Sequence, residues 1–220
     1  SDLITGTNGK TSCAWWLAQA LIKLGQRCAM VGTLGLGEVV TVADGQPRLD
    51  GVSTGLTTPD AVLFQGALRD FVQAGLKSCV IEASSIGIVE GRLDGTRIRL
   101  ALFTNFTQDH LDYHGNMVDY AQAKAKLFAQ AGLQHAVINL DDAFGRELAI
   151  NLLAKDTQKV WAFALNKAAF QGFDKFGDRL QRIYAVDSSF SHLGYDTTFV
   201  LNGVGQANLH IPLLGEFNLS

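Results

Sequence analysis

Short apolar runs and helix-period segments alternate along most of this chain. Residues 27–33 and 78–83 are brief, almost continuous apolar stretches, the pattern of strands buried on both faces. Residues 11–24 instead carry Ala14, Leu17, Ala18 and Leu21 at helical spacing, and Gly25 suits the end of that helix. Thr58-Pro59 predicts a second helix start, with Thr as N-cap and Pro at the first helical position, and Gly75 lies beyond its end. Between 37 and 47 the pattern predicts a hairpin excursion turning at Asp44-Gly45. Further strands are expected at 100–105, 135–139 and 160–165, and helices at 117–131 and 142–152. Such alternation predicts an α/β fold with a mainly parallel sheet flanked by helices.

The last third changes character. Residues 182–186, 197–201 and 207–211 read as antiparallel strands, with 202–206 turning the last two. An antiparallel β extension toward the C-terminus is therefore expected, and no repeat of fixed period is visible.

Composition narrows this picture. With 220 residues and 47% hydrophobic content, one large domain over 1–220 is the expectation. Only three Pro and no Ser/Gly-rich or charge-rich stretch interrupt it. A net charge of −3 leaves no footprint for nucleic acid. Cys13, Cys28 and Cys79 show neither metal-ligand nor paired spacing, so buried free thiols of a cytosolic protein are expected. No apolar run approaches the roughly 18 residues of a membrane helix, so no membrane insertion is expected. The chain opens with Ser1-Asp2, and its first strand is reduced to residues 3–5, which suggests a piece of a longer protein.

Chemistry begins at once. Gly6-Thr7-Asn8-Gly9-Lys10-Thr11 follows that short strand and opens a helix, the setting a phosphate-binding loop requires. Glycines let backbone N–H groups face a phosphate, and the helix N-terminus adds positive potential. Lys10 would reach the β- and γ-phosphates, and the Thr11 hydroxyl would meet Mg²⁺. The glycine spacing is shorter than in G-x-x-x-x-G-K-[ST], since Ile4 stands where the first Gly would fall. The plainer alternative is a glycine-rich turn with an exposed lysine; the Gly-Lys-Thr triplet and its flanks argue against it.

Ligands of open parallel sheets sit at the carboxyl ends of the strands. One strand runs into Glu82-Ala83-Ser84-Ser85; another runs into Asn105, followed by Asp109-His110-Leu111-Asp112-Tyr113-His114-Gly115. Glu82 and His110 are thus expected near the phosphate loop, where Mg²⁺ would want oxygen ligands. Taken alone, Glu82 also reads as a capping or salt-bridged carboxylate and His110 as a structural hydrogen-bonder. Asp112 and His114 read as the polar start of a helix.

In order, the phosphate loop, Thr57-Thr58-Pro59-Asp60, Glu82-Ala83-Ser84-Ser85 and Thr104-Asn105 with the segment 109–115 closely resemble the central, ATP-binding domain of the Mur ligases. Within that family the likeness is greatest to the type that adds the third residue to UDP-MurNAc-L-Ala-D-Glu. It runs from Ile4 to about Phe128, and Gly215-Glu216-Phe217-Asn218 resembles the segment that ends the domain. The resemblance implies ATP at Gly6, Thr7, Asn8, Gly9, Lys10, Thr11, Ser12 and Asn105. It implies two Mg²⁺ ions held through Thr11, Glu82, His110 and Lys124, the last carbamylated by CO₂ within Tyr120-Ala121-Gln122-Ala123-Lys124. It implies catalytic roles for Lys10, Glu82, His110 and Lys124. It places Thr57, Thr58, Ser84, Glu90 and Arg92 against the UDP-MurNAc-dipeptide. From the residues alone, Lys124 also reads as an ordinary surface lysine beside Lys126. Leu56, Ile86 and Glu90 stand where the family carries Asn, His and Gln.

The implied reaction is ATP-dependent amide formation. A substrate carboxylate attacks the γ-phosphorus of ATP, and an incoming amino group, expected to be that of meso-diaminopimelate, displaces phosphate from the acyl phosphate. A second Mur ligase type, folylpolyglutamate synthase and an ATP-binding module inactive alone are the alternatives. No N-K-x-D-like signal supports a guanine-nucleotide switch. Ser84, Ser85 and Cys79 lack the surroundings of a nucleophile elbow. The family implies a uridine-binding domain before this chain and an amino-acid-binding domain after it, in a monomeric enzyme of the bacterial cytoplasm.

Overall fold

The structure, a computed structural model, describes residues 1–107, 117–155, 157–201 and 205–213. They form two compact units, one from Ser1 to Leu133 and the other from Gln134 onward.

The first unit is built on strands β1 (Asp2–Thr5), β2 (Cys28–Gly32), β3 (Gly35–Thr41), β4 (Pro47–Val52), β5 (Ser78–Glu82) and β6 (Leu100–Phe103), in spatial order β6-β1-β5-β2-β3-β4. The first four of that order are parallel, and β3 and β4 add an antiparallel edge. β1 lies between β5 and β6, with Ile4 opposite both Glu82 and Leu102. Every residue of β1 and β2 is buried, which is why both read as apolar runs without alternation. Helix α1 (Lys10–Lys23) lays Ala14 and Ala18 on Ile4, Cys28, Met30, Val39 and Val80. Two alanines one turn apart present no bulk, so the helix can lie close against the sheet.

The observed hairpin is wider than the span 37–47. Its turn holds Asp44-Gly45, where Asp44 Oδ1 accepts from the Gln46 N–H at 2.9 Å, but its strands reach back to Gly35 and on to Val52. β4 is an exposed edge carrying Arg48 and Asp50, so it lacks the apolar alternation that marks a strand.

Helix α2 (Ala61–Gln73) starts later than Thr58-Pro59 suggests. Asp60 is the N-cap, its carboxylate accepting from the Val62 and Leu63 N–H groups. Thr58 is buried and turned inward instead. A single helical turn, α3 (Ser85–Val89), follows β5 and is capped by Ser84; its shortness hid it from periodicity. Helix α4 (Met117–Phe128) ends the first unit's helical set and buries Tyr120, Ala123, Lys124, Leu127 and Phe128.

In the second unit β7 (His135–Asn139), β8 (Lys159–Ala164) and β9 (Leu180–Ser191) are parallel neighbours, with helix α5 (Ala143–Lys155) between β7 and β8. Two short 3₁₀ turns, Lys167–Phe170 and Asp174–Arg179, lead into β9. β9, β10 (Gly194–Leu201) and β11 (Gly205–Ile211) form the expected antiparallel extension. β9 is more than twice as long as the stretch 182–186, because Asp187, Ser188 and Ser189 continue it without apolar alternation. Among the described residues no helix is long and apolar enough to cross a membrane.

Candidate functional site

Four parallel strands of the first unit deliver their carboxyl ends to one place. β1 leads into the loop at Gly6, β2 into Gly32-Thr33, β5 ends in Glu82 and β6 runs into Thr104-Asn105.

The loop is held from beneath. The Thr7 N–H donates to Asn105 O at 2.9 Å, and the Asn8 N–H to Asn105 Oδ1 at 2.8 Å. The Thr104 hydroxyl donates to Asn8 O at 2.6 Å and Asn105 Nδ2 to the same oxygen at 3.2 Å. Asn105 therefore braces the loop through both its main chain and its side chain. The packing at Gly6 excludes any other residue, since a Cβ there would lie 1.9 Å from Thr104 Oγ1. Gly9 begins α1 with φ 81°, and no side chain caps the helix. An uncapped helix start behind a glycine turn is a ready site for a phosphate. Lys10 folds back over the loop, donating to Gly6 O at 3.0 Å and Thr7 O at 2.8 Å. Ser12 sits exposed in the first turn.

Glu82 is fully buried. Its Oε2 accepts from the Thr11 hydroxyl at 2.7 Å and from the Thr33 hydroxyl at 3.3 Å; its Oε1 accepts from the Thr33 N–H at 2.9 Å. Gly32 makes room for it, because a Cβ there would stand 2.0 Å from Oε1. The sequence left open a salt-bridged or capping carboxylate. The described partners of Glu82 are instead hydroxyls and one backbone N–H. An anionic oxygen beside a threonine hydroxyl, next to an uncapped helix start, suits a hard cation bridging to a phosphate. Among the described residues no group of three His, Cys, Asp or Glu side chains gathers to hold a metal, so Thr11 and Glu82 form a partial donor set. His110, with Asp109, Asp112 and His114, lies outside the described residues.

Lys124 is not a surface lysine: only 1% of it is exposed. Its Nζ donates to Gly6 O at 2.9 Å and lies 4.3 Å from the centroid of the Tyr120 ring. The Tyr120 hydroxyl in turn meets Thr7 Oγ1 at 3.2 Å. Helix α4 is thus fastened to the phosphate loop through two side chains one turn apart. Tyr120 carried no signal in the sequence beyond its place four residues before Lys124.

A cavity of about 200 Å³ opens beside the loop. Lys10, Lys124, Thr57, Thr58, Ser84 and Arg92 bring polar groups to it, while Leu56 and Ile86 give it apolar patches. Thr58 serves mainly as a joint: its hydroxyl donates to Glu82 O at 2.9 Å and accepts from the Ser84 N–H at 3.0 Å. Arg92 Nη1 donates to Thr58 O at 2.7 Å, and its guanidinium pairs with Glu90 at 2.5 Å. The structure therefore gathers Lys10, Thr11, Thr57, Thr58, Glu82, Ser84, Glu90, Arg92, Asn105 and Lys124 around one strand-end crevice.

None of the cysteines has the character of a nucleophile. Burial pushes the Cys28 thiol up to about 11 and the Cys79 thiol up to about 12, and raises that of Cys13.

Residues 4–220 match the model of the Mur ligase middle domain. The chain is 45% identical to the UDP-N-acetylmuramoyl-L-alanyl-D-glutamate--2,6-diaminopimelate ligase of Ralstonia nicotianae over 99% of its own length and 39% of the relative's. It is 51% identical to the protein of the same name from an Acidovorax species, over 99% of this chain and 40% of that one. A solved structure of a ligase of that name superposes with a TM-score of 0.80 at 35% identity, covering 99% of this chain and 40% of the other. The chain thus spans about two fifths of the length of the curated relatives it matches.

Proposed function

The chain belongs to the Mur ligase middle-domain family, and from that membership we propose that it is the ATP-binding part of an amide-forming ligase of the diaminopimelate-adding (MurE) type. The observation that carries the reading is the 2.7 Å contact of Thr11 with the buried Glu82, beside an uncapped helix start and Lys10. The names of relatives at 45% and 51% identity point to UDP-MurNAc-L-Ala-D-Glu as acceptor and 2,6-diaminopimelate as the incoming amine.

In this reading ATP lies with its phosphates over the turn 6–11. The acceptor's free carboxylate attacks the γ-phosphorus, ADP leaves, and the amine then displaces phosphate from the acyl phosphate. Two anions must meet in the first step, so the protein's work is alignment and charge neutralisation. Lys10 supplies a fixed positive charge, and Arg92 offers forked donors to an acidic substrate group. Thr11 and Glu82 fit Mg²⁺, which when bound would screen the phosphate charge; His110 belongs to the same proposed set, for a second ion. Lys124 would act as its carbamate: the free amine adds to CO₂ with loss of a proton, which replaces a cation by an anion able to support that ion.

No protein nucleophile takes part in this scheme. The uridine and the amine would be held by domains before and after this one, in a monomer of the bacterial cytoplasm. The test is an assay of a full-length ligase carrying this domain with ATP, UDP-MurNAc-L-Ala-D-Glu and either meso-diaminopimelate or L-lysine. Stoichiometric ADP, phosphate and the diaminopimelate tripeptide are expected. ATP turnover that needs no muramyl peptide would overturn the reading, and preference for another muramyl peptide or for a folyl acceptor would move the chain to a sister activity.

A further inference from the structure

We propose that Thr33 is a positioning residue that holds the Glu82 carboxylate and couples it to the segment carrying Thr57 and Thr58. The inference rests on the reading of this crevice as a ligase centre.

Thr33 follows directly on β2 and meets Glu82 twice. Its N–H donates to Oε1 at 2.9 Å and its hydroxyl to Oε2 at 3.3 Å. The same hydroxyl lies 3.0 Å from that of Thr57. A carboxylate only accepts and a threonine has one hydroxyl proton. With that proton given to Glu82, the Thr57 hydroxyl must donate to the Thr33 oxygen. The order Thr57 to Thr33 to Glu82 is then fixed, and the Thr57 oxygen keeps its acceptor lone pairs for the cavity it lines.

The neighbouring residue closes the circuit. Thr58 donates to the main-chain oxygen of Glu82 at 2.9 Å, so of two consecutive threonines one holds the glutamate's backbone directly and the other reaches its side chain through Thr33. Gly32 allows this by letting the end of β2 press against the carboxylate. Thr33 itself is exposed, so its hydroxyl is not needed to fill the core. A substrate group that draws on Thr57 alters the donor facing Glu82, and a cation at Glu82 competes for the oxygen that Thr33 holds. Binding at the two ends is therefore linked.

The experiment uses a full-length ligase carrying this domain and three single variants, T33V, which keeps the shape and the N–H but loses the hydroxyl, T33S, which retains it, and T57V, together with the T33V/T57V double variant. ATP binding is followed by calorimetry while Mg²⁺ is titrated, and thermal melting is recorded alongside. T33V should raise the Mg²⁺ needed for half-maximal ATP binding by about tenfold, the low end of what loss of a supporting hydrogen bond does at metal sites. T33S should stay within about twofold of wild type by the same reasoning. The melting temperatures of all three should stay together, since Thr33 is exposed and Thr57 is only half-buried. The effects of T33V and T57V should fail to add, because the two groups share one hydrogen bond. An unchanged Mg²⁺ requirement in T33V, or additive effects in the double variant, would overturn the role of Thr33. ATP binding by the wild-type protein that ignores Mg²⁺ would overturn the ligase-centre reading beneath it, and this inference with it.

Discussion

Lys10 and Lys124 donate to the same carbonyl oxygen, that of Gly6, at 3.0 and 2.9 Å. One lysine belongs to the phosphate loop and the other to α4, so a single backbone atom registers both. Gly6 has no slack with which to respond, because Thr104 stands against the position of its missing Cβ. A chemical change at the Lys124 amine is therefore felt by the loop that would cradle ATP.

Replacing Lys124 tests this connection. Lys124→Ala in a full-length ligase should lower turnover by about a hundredfold, the upper range for groups that support a metal site. Acetate or propionate should restore part of it, since a small carboxylate can occupy the vacated space and replace the carbamate's oxygens. Turnover that is unchanged by the substitution would remove Lys124 from the mechanism. Loss without rescue would leave it a purely structural amine.

Gly32 makes a sharper steric test of Glu82. In Gly32→Ala the new methyl would fall 2.0 Å from Oε1 and 2.6 Å from Cδ of the carboxylate, so the side chain must leave its place. Overpacking of this kind costs about 1–3 kcal/mol, which a chemical-denaturation midpoint would register. Mg²⁺-dependent ATP binding should fall further than that stability loss explains, because Thr11 and Thr33 lose their common acceptor. A variant that is destabilised yet binds Mg·ATP normally would show that the Glu82 position is dispensable.

Most of this crevice was legible in the chain, for a physical reason. A phosphate loop needs glycine, lysine and threonine in fixed order, and strands buried on both faces announce themselves as apolar runs, so their ends could be located. Thr33 and Tyr120 were not legible. Each acts through a hydrogen bond or ring contact with a residue far away in sequence, and no local spacing encodes that. Cys28 and Cys79 are buried as their apolar neighbours suggest, whereas Cys13, on α1, is only half-buried. The width of the β3–β4 hairpin did not, since an edge strand with Arg48 and Asp50 mimics a loop. The one-turn helix α3 is too short to show a period.

Thr58 and Asp60 separate two roles that the sequence merged. Asp60→Ala removes the cap of α2 and should cost about 1 kcal/mol, with ATP binding unaffected. Thr58→Val leaves the cap intact but strips the joint between Glu82 and Ser84. That change should cost about 1–3 kcal/mol for the stranded buried partners and should weaken Mg·ATP binding as well. Denaturation and calorimetry on both variants decide the matter. Equal effects on ATP binding would contradict the assignment of Thr58 as a joint and Asp60 as a cap.

Alkaline pH should unfold this domain sooner than its lysines and tyrosines alone would require, and the cause lies in two thiols. Burial raises Cys28 to about 11 and Cys79 to about 12 from an ordinary value of 9.0. The unfolded chain therefore releases protons that the folded chain retains. Since stability changes with pH as the protons bound in the unfolded state minus those in the native state, its slope is negative there. The contribution is fully present below pH 9 and is lost as pH climbs toward 11 and 12. A Cys28→Ala/Cys79→Ala double variant should be less stable at neutral pH, because two buried side chains are trimmed. Its denaturation midpoint should nevertheless decline less steeply above pH 9 than that of the wild type. The difference between the two curves isolates the thiols from every other group titrating in that range. Curves that run parallel from pH 7 to 10.5 would mean that neither thiol is held protonated by the fold.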